Sequence, residues 1–201
     1  TQRAGRAGRL GPGVCYRLWS EEQQERLEEQ ASPEILRSDL ASLLLESALW
    51  GSTPEELPFL NQPPAPALAA GRQLLRWLEV FDEQNRLTAK GRQLALLPCE
   101  PRLGHLLSEA KELELQGYTG MLAAACYLLA LQEERVLGND PLSVQLQRYG
   151  QGLHAAARRW WQRMEGEGAV PSCPPVQIDL LAAVAWPDRI ARKSGELRYQ
   201  L

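Results

Sequence analysis

The chain has 201 residues, 44% hydrophobic and 23% charged, with a formal net charge of -3. These are ordinary values for a globular protein of one large or two small domains. They exclude binding of a polyanion by bulk charge, so any nucleic-acid contact must come from a local patch. No run of 18 apolar residues and no signal peptide is present, which argues against a membrane partner. Cys15, Cys99, Cys126 and Cys173 form no C-x-x-C pair, and His105 and His154 lie far from any cysteine cluster. The expectation is no metal site and free thiols in a cytoplasmic protein.

The first nine residues set Arg3, Arg6 and Arg9 at three-residue spacing, with Gly5 and Gly8 between them and Gln2 in front. A guanidinium is a planar fork of donors that fits phosphate oxygens two at a time. Glycines let the backbone approach a phosphate closely. The plainer reading is a flexible basic arm. Against it, Leu10-Gly11-Pro12-Gly13 reads as a turn and Val14 to Trp19 as a short buried strand with period-two alternation.

The string Gln2-Arg3-Ala4-Gly5-Arg6-Ala7-Gly8-Arg9, followed by Pro12-Gly13-Val14-Cys15-Tyr16-Arg17-Leu18, resembles the last conserved motif of DEAH-box helicases. There it is the Q-R-x-G-R-x-G-R element of the second RecA-like domain. The resemblance implies that Arg6 and Arg9 are arginine fingers on the γ-phosphate, a role worth ~10³–10⁵ in rate in related enzymes. It implies that Gln2 positions the attacking water or contacts the γ-phosphate, and that Gly5 and Gly8 line the ATP site. Arg3 is expected to hold the motif in place. The chain has no G-x-x-x-x-G-K-[ST] phosphate loop and no Asp-Glu-x-His site. It therefore reads as a piece cut just before the finger motif. ATP with Mg²⁺ belongs to the parent protein, none is expected on this chain, and the first RecA-like domain of the same protein is its expected partner. A strand without its sheet predicts that residues 1–19 are poorly ordered or rearranged here.

Ser20 caps a solvated helix running to Gln30. Pro33 is placed at the first helical position of a helix that carries Leu36, Leu40, Leu43, Leu44 and Ala48 and stops at Gly51. A proline-rich loop leads to a second amphipathic helix from about Ala65 to Leu78. Val80-Phe81 and Arg86-Leu87 flank a polar turn as a hairpin, and Thr88 caps a short helix ending near Leu97. Helix, helix, hairpin, helix is a winged-helix pattern. The second helix has Arg72 and Arg76 but no Asn or Lys set for base edges, so packing outweighs sequence reading. Pro33-Glu34-Ile35, Phe59-Leu60 before Pro63-Pro64, and Leu87-Thr88 with Gly91-Arg92 resemble the family's winged-helix domain.

Pro101 restarts a helix through Leu103, Leu106, Leu107 and Ala110 to a stop at Gly117, and Leu97-Pro98-Cys99-Glu100-Pro101-Arg102-Leu103 resembles the family's junction at this point. Thr119 to Leu131 is apolar nearly all round and predicts a central buried helix that contains Cys126. Asp140-Pro141 opens a helix to Tyr149. On the next, Leu153 to Met164, a wheel puts Leu153, Ala156, Ala157, Trp160, Trp161 and Met164 on one side. Arg158 and Arg159 fall opposite, with Arg163 on the flank. They form either a solvated polar face or a strip that tracks phosphates. Gly166 to Pro175 reads as a linker and Ile178 to Arg192 as a helix with a kink or restart at Pro187. Trp186-Pro187-Asp188-Arg189-Ile190-Ala191 with Arg198-Tyr199-Gln200-Leu201 resembles the HrpB-type bacterial branch of the family.

The expected fold is mainly α: the tail of a RecA-like domain over 1–19, a winged-helix domain with its leading helix over 20–98, and a helical bundle, the ratchet domain, over 99–165. Residues 166–201 form a linker and the start of a C-terminal region. The expected function is the accessory part of an ATP-dependent helicase that holds single-stranded nucleic acid, RNA above all. The alternative is a non-catalytic winged-helix module that binds protein or nucleic acid.

Overall fold

The computed structural model describes residues 2–27, 32–134, 142–166, 168–171, 178–190, 192–193 and 199–200. It is mainly helical, and its described residues from Ile35 onward build two apolar cores. After α1 (Gln2–Ala7) and α2 (Glu21–Glu25), the first core begins with α3 (Ala41–Trp50) against α4 (Ala65–Trp77). α4 buries Leu68, Gly71, Leu74 and Leu75, a three- and four-residue spacing that puts them on one face. Gly71 lets α4 lie close against α3, since a Cβ there would meet Leu44 Cδ1 at 2.7 Å. Gly51 ends α3 at φ +80°, a left-handed cap that costs glycine little. Phe81 and Leu87 pair as an antiparallel bridge, and Asp82 closes the turn by accepting from the Gln84 and Arg86 amides. Thr88 caps α5 (Ala89–Leu94) by accepting from the Gly91 amide at 2.9 Å.

The second core is the helical bundle of α6 (Pro101–Leu115), α7 (Met121–Glu133), α9 (His154–Arg163) and α10 (Ile178–Ala185), with α8 (Leu142–Tyr149) at its side. Every residue of α7 from Met121 to Leu131 is buried, which explains why this helix shows no polar stripe. Glu114 at the end of α6 accepts from the Gly120 and Leu122 amides at 2.9 and 3.1 Å. Its negative charge meets the orphan donors of the α7 N-terminus.

Five expectations need correction. Val14 to Trp19 forms no strand: it is irregular and exposed, with no ladder partner among the described residues, and an unpaired strand gains no backbone bonds. The single helix from Pro33 is two pieces, a 3₁₀ turn at Glu34–Leu36 with Pro33 as its cap, then α3. The break falls where the Asp39 side chain accepts from the Ala41 amide at 2.8 Å and starts a new helix. The helix from Ile178 stops at Ala185, because Pro187 cannot continue the ladder; a 3₁₀ turn follows at Pro187–Arg189. Arg192 is not helical: β1 (Arg192–Lys193) pairs antiparallel with β2 (Tyr199–Gln200). The helix expected from Ser20 to Gln30 ends at Glu25, with Arg26 as its C-cap. Asp140-Pro141, Cys173, Ala191, Arg198, Leu201, residues 28–30 and half of the 166–175 linker lie outside the described residues.

Candidate functional site

The arginine motif begins in α1, whose last turn holds Arg6; Arg9 follows two residues past the helix end. The chain then doubles back, because Gly13 lies so close to the Ala7 carbonyl that any Cβ would collide with it. Residues 5–20 are exposed throughout. Among the described residues neither Arg6 nor Arg9 has an ion pair or hydrogen bond. A Cβ at Gly5 would meet open space. Two forked cations beside bare backbone suit the oxygens of a polyphosphate. They do not suit Mg²⁺: no group of three His, Cys, Asp or Glu residues among the described ones could hold a metal.

α9 presents its arginines differently. All six residues the wheel assigns to the inner side, Leu153, Ala156, Ala157, Trp160, Trp161 and Met164, are buried. Arg158, Arg159 and Arg163 are exposed. Glu133, at the end of α7, accepts from Trp160 Nε1 at 2.9 Å and from Arg159 at 3.1 Å. The Arg163 guanidinium lies 5.7 Å from the Trp160 ring centroid, a cation–π distance. On the far side of the same helix Tyr127 Oη and His154 Nδ1 lie within a 2.8 Å hydrogen bond. The tryptophans therefore anchor α9, and its cations are offered outward.

Two polar clusters escaped the sequence reading. Arg102, 8% exposed, forms a two-pronged pair with Asp188 at 2.5 and 2.8 Å and also donates to the Ala185 carbonyl at 3.4 Å. The guanidinium beside Asp188 holds its carboxyl below the usual aspartate value. Pro-Arg-Leu and Pro-Asp-Arg were visible as separate motifs, but nothing in either signals the other 86 residues away. A cleft of about 470 Å³ opens beside the pair, walled by Asp39, Trp77 and Arg189 among others. The second cluster joins the two cores: Lys90 donates to Glu79 at 2.8 Å and to Glu109 at 2.6 Å. Burial works against the Lys90 charge, yet the two carboxylates outweigh it and raise its pKa. His105 next to it is held below the ordinary histidine value by burial and then by Lys90, and its Nδ1 has no hydrogen-bond partner among the described residues.

No family model matches the chain. It is 39% identical over 203 residues to the ATP-dependent RNA helicase HrpB of Escherichia coli (strain K12), covering 100% of this chain and 24% of that protein. An ATP-dependent RNA helicase HrpA homolog of Haemophilus influenzae is 41% identical over 117 residues, 54% of this chain and 9% of the relative. The crystal structure of the E. coli DExH-box NTPase HrpB superimposes with a TM-score of 0.70 at 38% identity, over 100% of this chain and 24% of that one. That of the Escherichia coli DEAH/RHA helicase HrpB gives 0.72 at 38% identity, over 99% and 25%. The chain thus spans about a quarter of the length of the HrpB relative it matches.

Proposed function

Taking a chain that resembles the HrpB type of DEAH-box helicase along its whole length as the premise, we propose that it is the C-terminal accessory part of an ATP-dependent RNA helicase working in the cytoplasm. The observation that carries the reading is the eight-position arginine motif, with Arg6 and Arg9 exposed and unpaired among the described residues. Residues 1–19 would close a second RecA-like domain, 20–98 form a winged-helix domain with its leading helix, 99–165 a ratchet bundle, and 166–201 a linker and the start of a C-terminal region. The first RecA-like domain of the parent protein would hold ATP with Mg²⁺, and the metal would supply neutralisation of charge on the transferred phosphate. Arg6 and Arg9 bind oxygens of the terminal phosphate and match the charge that grows there as the bond to it breaks. Gln2 holds the attacking water or the same phosphate, and Gly5 and Gly8 let the backbone come close. Single-stranded RNA runs along α9, where Arg158, Arg159 and Arg163 contact its phosphates without reading bases.

The test uses the full-length protein. Arg6→Ala or Arg9→Ala should lower ATP turnover by about 10³ or more and leave nucleotide affinity nearly intact, since a finger acts on the transition state. The double variant should be barely worse than either single one, because groups that act as a unit are not additive. Arg6→Lys should fail as well, since a point charge cannot reproduce the fork. Near-normal turnover in either alanine variant removes the finger assignment. This chain on its own should hydrolyse no ATP above a buffer control.

A further inference from the structure

The outward arginines of α9 are not equivalent. Arg158 has no ion pair or hydrogen bond among the described residues, and Arg163 leans on the Trp160 ring. Arg159 is engaged by the Glu133 carboxylate. That carboxylate is itself pinned: its Oε1 accepts from the indole N–H of Trp160, which is 6% exposed and fixed in the bundle core. Its other oxygen, Oε2, is then left facing Arg159. A carboxylate oxygen offers a guanidinium the same charge sign and nearly the same donor–acceptor geometry as a phosphate oxygen. The pair is also easy to open, because the Arg159 and Glu133 side chains are 64% and 39% exposed and water can receive both charges. Arg159 can swing out on its long stem while Glu133 keeps its bond to Trp160.

We infer that Glu133 is a built-in competitor for RNA backbone phosphate at Arg159, held in place by Trp160, so that a strand must displace it to gain that contact. The inference rests on the proposed reading of α9 as the strand-tracking face and adds the residue that weakens its grip. A carboxylate in this position lowers affinity at one step of the strip without removing a cation. For a protein that must release and rebind a strand repeatedly, that shortens each hold.

The experiment measures binding of this chain to a single-stranded oligouridine 12-mer across a series of salt concentrations. Glu133→Gln keeps an oxygen acceptor for the Trp160 N–H and removes the charge. It should bind about threefold tighter at low salt, the effect expected of one exposed ion pair. Its log–log salt slope should steepen by about 0.7, one added phosphate contact on a single strand. Glu134→Gln, the same charge change one residue on, should move neither quantity comparably. In the Arg159→Ala background Glu133→Gln should lose its gain. An unchanged slope in Glu133→Gln, an equal gain in Glu134→Gln, or a gain that survives Arg159→Ala each overturns the inference. The reading of α9 is judged separately: Arg158→Ala with Arg159→Ala must flatten the wild-type slope. If it does not, or if no chain binds the 12-mer, that reading falls and the inference with it.

Discussion

Beside the arginines of the first nineteen residues the apolar side chains are bare: Val14, Tyr16 and Leu18 are 74%, 82% and 93% exposed. Beside the arginines of α9 they are covered, with Trp160 and Trp161 at 6% and 8%. The two regions carry the same cation in similar density, yet only α9 inherits its arginine geometry from a core. There Trp160 orients Glu133, Glu133 holds Arg159, and Arg163 rests on the ring. In the arginine motif no described contact fixes a guanidinium. Substitutions in the two regions should therefore separate cleanly, with effects on chemistry in the first and on folding in the bundle.

Thiol reactivity should show the widest gap. Cys126, inside α7, has its pKa pushed up to about 12 by burial, and Cys99 to about 11 by burial and then by Glu100. At pH 8 a thiol of pKa 12 is thiolate in only about one part in 10⁴. Cys15 is exposed. Alkylation in native buffer, read by peptide mass, should label Cys15 first and reach Cys126 only after denaturant is added. Labelling of Cys126 at the rate of Cys15 would mean that the bundle is open.

A smaller effect separates the aromatic residues. Trp160→Ala should cost about 3–5 kcal/mol, the usual loss for a large buried ring. Tyr16→Ala should stay within about 0.5 kcal/mol, as exposed positions do. Urea unfolding of both variants measures this, and equal losses would erase the contrast.

The smallest of the three concerns Arg102. Its removal leaves Asp188 partnerless beside the bundle, and the cost should be about 2–3 kcal/mol, under the range for a fully buried pair because the Asp188 side chain is 28% exposed. The pH dependence sharpens the assignment. Asp188 titrates lower in the folded chain than its unfolded value of 3.8. The pair's contribution is therefore complete above that value and is lost as pH falls through it toward the folded pKa. Urea midpoints at pH 5 and pH 3 should differ less in Arg102→Ala than in the wild type. An equal acid loss in both would place the titration elsewhere.

Much of the interior was legible from local pattern. The three-and-four spacing marked the buried face of α4, the wheel sorted all six inner residues of α9, and the unbroken apolar run of α7 announced full burial. Ser20, Gly51 and Thr88 were readable as caps because a cap is satisfied within three or four residues of itself. The candidate arginines were chosen from their spacing and from a resemblance to a family motif, and the structure adds that Arg6, Arg9, Arg158, Arg159 and Arg163 are exposed.

What lay beyond the sequence was whatever depends on a partner distant along the chain. Alternation at Val14 to Trp19 encodes a strand's two faces but not the neighbour whose backbone must complete the ladder, and no such neighbour is present among the described residues. Ile178 to Arg192 resembled one helix with a kink or restart at Pro187; Pro187 ends it locally, but the meeting of Asp188 with Arg102 needs a partner 86 residues away. The wheel by itself determined which residues of α9 are cations facing outward. Only the tertiary structure decided which of those cations is already neutralised, because a carboxylate at Glu133 and a guanidinium at Arg159 become neighbours through the packing of α7 on α9, and periodicity holds no record of distance between two helices.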